Sequence, residues 1–226
     1  PVALRVNVDV SPSTHAKIST GEHNTKFGVS TKQSEARDIY QQMAEDPHIS
    51  PAGLAVHIGS QICDLGPFER AYSALLALAI ELRDAGLPVP NLDLGGGIGI
   101  DYDTAGPTDF REYGLLVQRL FAGQGFSLGF EPGRSIIANN GALVTRVIYV
   151  KQGGEKRFII VDAAMNDLLR PTLYEAHHAI WTLDEPGIST TKADIVGPVC
   201  ETGDYLGLDR DMPDLSAGDG LVILSA

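Results

Sequence analysis

A chain of 226 residues, 43% of them hydrophobic, can bury the core of one large domain or of two small ones. Its formal net charge of −12, with no cluster of Lys and Arg, argues against a nucleic-acid or membrane surface and for a small-molecule partner. The two cysteines, Cys63 and Cys200, lie far apart without CxxC or Cys/His ligand spacing, so neither a disulfide scaffold nor a metal site is expected and a cytoplasmic, reducing setting is. No apolar run reaches membrane-spanning length.

From the N-terminus, apolar alternation over Ala3–Val10 predicts a strand, then a polar loop over 11–27 and a helix from about Ser30 to Glu45, with Ser30 or Thr31 as its cap. The rhythm repeats. A strand at Gly53–Ile58 leads through a loop at Asp64–Pro67 into an amphipathic helix at Phe68–Ala85, stopped by Gly86 and Pro88. A third strand, Asn91–Leu94, precedes a glycine run, a loop to about Thr108 and a helix near Phe110–Ala122, and a fourth, Phe126–Phe130, meets Glu-Pro-Gly-Arg. Four successive βα units predict crossovers and a parallel sheet.

Beyond Arg134 the apolar runs at Ala142–Val150, Arg157–Val161, Ile195–Gly197 and Gly220–Leu224 are short, β-branched and separated by Gly, Pro and Asp, which predicts antiparallel β structure. A boundary is expected near 135–142, dividing the chain into residues 1–137 and 138–226. Four βα units are half of a closed barrel. The expected class is therefore α/β, the C-terminal half of a TIM-like β/α barrel followed by part of an antiparallel β domain, with a doubly wound sheet as the competing arrangement. The start at Pro-Val-Ala, inside a strand and without an initiator Met, suggests a fragment.

Three of these strands carry polar groups at their C-terminal ends, where parallel βα folds build a shared pocket. Leu-Ala-Val-His-Ile-Gly-Ser-Gln at 54–61 supplies His57 and Ser60. Leu-Asp-Leu-Gly-Gly-Gly-Ile-Gly at 92–99 supplies Gly95, Gly96 and Gly97, where the lack of Cβ lets backbone N–H groups approach an anion. Phe-Glu-Pro-Gly-Arg at 130–134 adds Glu131, Gly133 and the forked guanidinium of Arg134. Each run alone has an ordinary reading as well: a tight connection, a core histidine, a strand-end Glu paired with a Lys.

Together with Asn-Asp-Leu-Leu-Arg-Pro-x-Leu-Tyr at 166–174 and Gly-Pro-x-Cys-Glu-x-x-Asp at 197–204, this ordered set resembles the alanine-racemase-fold, pyridoxal-phosphate-dependent decarboxylases. Within them it is most similar to the diaminopimelate decarboxylase branch, to which Ile18-Ser-Thr-Gly21 and Lys26-Phe-Gly28 add. The resemblance implies pyridoxal 5'-phosphate as cofactor, with His57 stacked on its ring, Ser60, Gly95, Gly96, Gly97, Gly133 and Arg134 around its phosphate, and Glu131 at the pyridine nitrogen. It also implies Arg134, Arg170, Tyr174 and Glu201 as substrate-binding residues. Arg170 and Tyr174, four apart, could share one face of a helical turn and clamp a distal carboxylate, while Glu201 would meet a distal ammonium.

Cys200 is the implied acid that returns a proton to Cα, whereas Cys63 is expected to be inert. Cys200 and Glu201 would reach the pocket of a neighbouring subunit in a homodimer, with Asp204 supporting that segment or the interface. The implied reaction is decarboxylation of meso-diaminopimelate to L-lysine and carbon dioxide. Other amino acids (ornithine, arginine, carboxynorspermidine) and a non-catalytic, partner-binding relative remain as alternatives. The family's cofactor-linking lysine sits in a Tyr-x-x-Lys-Ala-like context that none of Lys17, Lys26, Lys32, Lys151, Lys156 and Lys192 shares, and its terminal Gly-Ala-Tyr is absent. The chain is thus expected to be a central piece, inactive by itself. His177 and His178 are expected on a helix surface, His15, His23 and His48 in loops or at helix ends, and Asp162 in a turn or at an interface.

Overall fold

The computed structural model describes residues 1–11, 26–102, 109–184 and 190–226. Most of the loop expected over 11–27, with His15, Lys17, Ile18-Ser-Thr-Gly21 and His23, and the end of the loop to Thr108 lie outside the described residues. Two compact units are present: one holds Pro1–Asp101 and residues 109–135, the other Tyr102 and Ile136–Ala226.

In the first unit, β1 (Val2–Asn7), β2 (Val29–Ser30), α1 (Glu35–Glu45), β3 (Pro51–Val56), α2 (Leu65–Asp84), β4 (Asn91–Asp93), α3 (Phe110–Phe121) and β5 (Ser127–Gly129) follow in order. The sheet runs β2-β1-β3-β4-β5, and every neighbouring pair is parallel. Helical crossovers between strands are the connections that parallel pairing requires. The strand β2, two residues on the outer side of β1, is too short for its periodicity to register.

Local chemistry moves the helix ends away from the expected positions. A 3-10 turn at Lys32–Ser34 and a left-handed Ser34 (φ 65°) delay α1 to Glu35, and neither Ser30 nor Thr31 caps it. Ser30 Oγ instead accepts from the Lys32 N–H at 3.1 Å. By contrast α2 starts early, because Asp64 accepts from the Gly66 N–H at 3.0 Å and satisfies an otherwise orphaned donor. Asp109 does the same for α3, accepting from Arg111 and Glu112.

The apolar faces of α2 and α3 meet in an aromatic cluster in which Phe68, fully buried, lies edge-on to Tyr113 at 5.5 Å and tilted against Tyr72 at 5.8 Å. The two tyrosine hydroxyls bond each other at 2.8 Å, and Tyr72 also donates to the Leu94 carbonyl at the end of β4. The cluster thereby ties the helix layer to the strand end that carries the glycine run.

The second unit contains α4 (Arg134–Ile137, which begins in the first), β6 (Ala142–Gly153), β7 (Lys156–Val161), α5 (Arg170–Tyr174), β8 (Ile180–Thr182), β9 (Thr190–Val196), β10 (Tyr205–Pro213) and β11 (Gly220–Leu224). Its sheet runs β10-β9-β7-β6-β11-β8. All pairs are antiparallel except β7 with β9, which are parallel, a departure from the purely antiparallel pattern expected. The strand β10 escaped the sequence pattern because register shifts at Tyr205/Gly207 and Gly207/Arg210 break its alternation, and β8 has only three residues. Ile159, Val161, Ile195, Leu206, Leu221 and Ile223 form its core. The α/β class, parallel βα units followed by a largely antiparallel sheet, is the one expected.

Truncating Phe68 removes a ring from a site with no solvent to fill the void. Phe68→Ala should cost about 3–5 kcal/mol of stability, read as a shift in the urea unfolding midpoint at unchanged slope.

Candidate cofactor and substrate site

Gly95, Gly96 and Gly97 sit where the end of β4 passes between the ends of β3 and β5. A Cβ on Gly95 would strike the Val56 carbonyl, one on Gly96 the Glu131 carbonyl and one on Gly97 the Gly59 carbonyl. Gly95 and Gly97 also hold positive φ, 67° and 100°, open to glycine at little cost. The approach is sealed by the backbone: Glu131 N–H donates to the Gly95 carbonyl at 2.8 Å, and Ile62 N–H to the Gly97 carbonyl at 2.9 Å.

Two amides of the run are turned to side chains. Gly95 N–H donates to Asp93 at 2.8 Å and Gly96 N–H to His57 Nδ1 at 3.3 Å. The bond to Nδ1 requires a lone pair there, which puts the proton of the neutral imidazole on Nε2. Burial, first, and the Arg5 guanidinium, second, push His57 below the ordinary histidine range, against the opposing pull of the Glu131 and Asp93 carboxylates. The neutral ring is the form the surroundings favour.

Glu131 is exposed at the end of β5, and Gly133 and Arg134 follow it. Arg134 Nη1 lies 3.5 Å from Gln61 Oε1, and Gln61 spans the loop after β3 by donating to the Ile100 carbonyl at 2.6 Å. Ser60, half-buried, immediately precedes it. His57, the three glycines and Glu131 are thus brought together, with Arg134 joined through Gln61. Unlike the glycines of the run, Gly133 has nothing within 4 Å of the place a Cβ would take, so no steric reason requires a glycine there.

In the second unit, Arg170 and Tyr174 occupy the two ends of the single-turn helix α5. Arg170 Nη1 donates to the Tyr102 hydroxyl at 3.0 Å and to His178 Nε2 at 2.9 Å, with the guanidinium 4.9 Å from the Tyr102 ring centre. His178 corrects the helix-surface expectation: it is wholly buried, because its Nδ1 reaches the Leu224 carbonyl of β11 at 3.0 Å. Burial, first among the causes that lower it, and the neighbouring Arg170, His177 and Arg210 keep its proton affinity below the ordinary range, against the pull of the Leu224 carbonyl. His177 bonds the Tyr102 carbonyl at 2.9 Å.

Cys200 and Glu201 are exposed on the bend after β9. Asp204 anchors that bend: nearly fully buried, it accepts from Met165 N–H and Val199 N–H, each at 2.7 Å. The bend is linked to α5, since Thr172 donates to the Gly203 carbonyl and Tyr205 to the Pro171 carbonyl. Asp162 accepts from Arg146 N–H and Thr145, bonds that hold its carboxyl below the usual range and serve the β6–β7 register. Cys63 packs against Gly99 and receives a weak contact from Gln61 at 3.8 Å.

A family model described as the pyridoxal-dependent decarboxylase C-terminal sheet domain matches residues 39–226. The chain belongs to the pyridoxal-dependent decarboxylase family. It is 47% identical to diaminopimelate decarboxylase of Zymomonas mobilis over its whole length and 53% of that protein's. A crystal structure of Helicobacter pylori diaminopimelate decarboxylase (I148L mutant) complexed with L-lysine superposes with a TM-score of 0.93 at 36% identity, over 99% of this chain and 55% of that one. A crystal structure of SrLDC in complex with PLP and cadaverine is similar over 90% of this chain and 53% of its own, with a TM-score of 0.78 at 26% identity. The chain spans about half the length of the curated relatives it matches.

In this member of the pyridoxal-dependent decarboxylase family, the contacts of Asp93, Gln61 and Tyr102 and the burial of His178 lie outside the sequence pattern. Asp93 had a usable signal, since it alternates with the buried Leu92 and Leu94 on a strand ending at the glycines. Tyr102 had none, because its partners lie some 70 residues away in sequence.

Gly96 and Gly133 differ in the space around them. Gly96→Ala must push the ends of β4 and β5 apart and should cost about 1–3 kcal/mol by urea unfolding, whereas Gly133→Ala should be near neutral in the same measurement. A second expectation follows from the histidines. His57 and His178 both bind protons more weakly folded than unfolded, so the unfolded state takes up more protons as pH falls below about 6.5. Stability should therefore be fully present above that pH and decline through the window beneath it, visible as a falling unfolding midpoint between neutral and mildly acid pH.

Proposed function

We propose that this sequence supplies the cofactor and substrate residues of a pyridoxal-phosphate-dependent carboxy-lyase that converts meso-diaminopimelate to L-lysine and carbon dioxide. The observation that carries the reading is the strand-end cluster: glycines whose missing Cβ atoms let three strand ends touch, beside a neutral histidine and a carboxylate. Such a cradle fits a flat, phosphate-bearing ring. When bound, pyridoxal phosphate supplies the electron sink for the charge left at Cα as carbon dioxide departs.

The chain's own residues divide the remaining work. Glu131 would face the pyridine nitrogen and favour its protonated form, and the uncharged His57 would offer a ring face for stacking. Because Gly95 and Gly96 direct their amides to Asp93 and His57, they shape the cradle, and Ser60, Gly97, Gly133 and Arg134 serve the phosphate. Arg134 also lies at the strand end where a substrate carboxylate would sit. Arg170 and Tyr174 clamp the distal carboxylate, Glu201 meets the distal ammonium, and Cys200 delivers a proton to Cα. The exposed bend of Cys200 and Glu201, anchored by Asp204, is suited to entering the site of a second subunit in a homodimer. The 47% identity to a diaminopimelate decarboxylase favours that substrate over lysine or ornithine, which carry no distal carboxylate for Arg170.

The test is lysine formation from meso-diaminopimelate by the polypeptide completed to the length of its relatives. Cys200→Ala should lower kcat by about 10²–10⁴-fold and Cys63→Ala should leave it unchanged. Equal effects of the two substitutions, or turnover of lysine in preference to diaminopimelate, would overturn the reading.

A further inference from the structure

An arginine that must recognise a carboxylate has a long, rotamer-rich stem, and its planar fork discriminates only when it is held in one orientation. In α5 that orientation is imposed from the side by a residue outside the set that the family resemblance implies. His178 can bond its two partners in only one way. The Leu224 carbonyl accepts and cannot donate, so Nδ1 carries the proton; the Arg170 guanidinium donates and cannot accept, so Nε2 must present a lone pair. The ring is therefore neutral, in the Nδ1–H tautomer, and spans from the end of β11 to the guanidinium on α5. Its other neighbours reinforce this: the Tyr102 ring packs edge-on at 5.2 Å, and Tyr102 is itself fixed by His177 through its carbonyl.

We infer that His178 is a positioning residue for Arg170, a buried imidazole whose Nε2 orients the guanidinium for the substrate's distal carboxylate. The inference rests on the reading of Arg170 as a carboxylate ligand and deepens it. In this role His178 acts on Arg170 and not on the substrate. It engages Nη1, together with the Tyr102 hydroxyl, in bonds within the protein, and so selects the rotamer in which the fork is presented. Hydrogen bonds to a charged group are the stronger kind, so losing this one should be visible in substrate affinity.

The experiment compares His178→Asn with His178→Gln in the completed enzyme, with meso-diaminopimelate as substrate and lysine as the readout. Asn keeps an amide able to bond the Leu224 carbonyl but is too short to reach Arg170; Gln places an acceptor where Nε2 stood. His178→Asn should raise KM about tenfold with kcat within about twofold, and His178→Gln should return KM toward the native value. Arg170→Gln should raise KM at least as much, and adding His178→Asn to it should change nothing further. A His178→Asn enzyme with native KM beside an impaired Arg170→Gln enzyme overturns the positioning role alone. So does a loss in kcat and melting temperature without a rise in KM, or additive effects in the double variant. A native KM in Arg170→Gln overturns the carboxylate reading and the inference with it.

Discussion

Backbone contact without side chains is the constraint on which the parallel unit depends. At the end of β4, three successive residues lie against carbonyl groups of the neighbouring strand ends, so close that any Cβ would collide. Strands in a sheet are normally spaced by their hydrogen bonds, and their ends diverge into loops. Here they stay in contact past the last ladder pair, with Glu131 N–H to Gly95 and Ile62 N–H to Gly97 extending the pairing beyond β4. Two of the polar groups at this end of the sheet are placed by that contact. His57 gains the Gly96 amide as a partner because the two backbones are close enough, and Glu131 lies next to the run because its own backbone is bonded to it.

The second unit solves a different problem with buried polar groups. A one-turn helix and an exposed bend have too little apolar area to hold themselves in place. Asp204 accepts two short bonds from backbone amides, Val199 within the bend and Met165 between β7 and α5, and His178 links α5 to the last strand. Both groups are almost entirely buried and each polar atom of the two side chains has a hydrogen-bond partner, the condition that lowers the cost of burying a polar side chain. Thr172 and Tyr205 then couple α5 to the segment after the bend, so that the candidate substrate clamp and the candidate proton donor share one support.

Local chemistry explains where elements differ from their sequence pattern. Asp64 and Asp109 start helices because a carboxylate at the N-cap satisfies orphan amides, a signal readable from residue type alone. Ser30 and Thr31 look like caps by the same rule, yet Ser30 turns its hydroxyl to Lys32 within a loop and the helix waits for Ser34. In the antiparallel unit, β7 was legible from Lys-Arg-Phe-Ile-Ile-Val, whose apolar residues are buried or half-buried in succession. Its parallel partnership with β9 was not, since pairing direction depends on the route of the chain between them rather than on either strand's composition.

The order of motifs along the chain was enough to place three strand ends and to name the family, and it singled out His57, the glycine run, Glu131, Arg134, Arg170 and Cys200 as candidates. Those signals are local: a strand's alternation, glycines in succession, a charged residue after a turn. What only the tertiary structure decided is which groups bond to which. Asp93 takes the Gly95 amide, His57 takes the Gly96 amide, and His178 leaves the surface for a buried place between Arg170 and Leu224. Hydrogen-bond partners tens of residues apart are brought together by packing, and the proton positions on His57 and His178 follow from those partners. Residue identity supplies the donors and acceptors; only their approach in space determines where each proton resides.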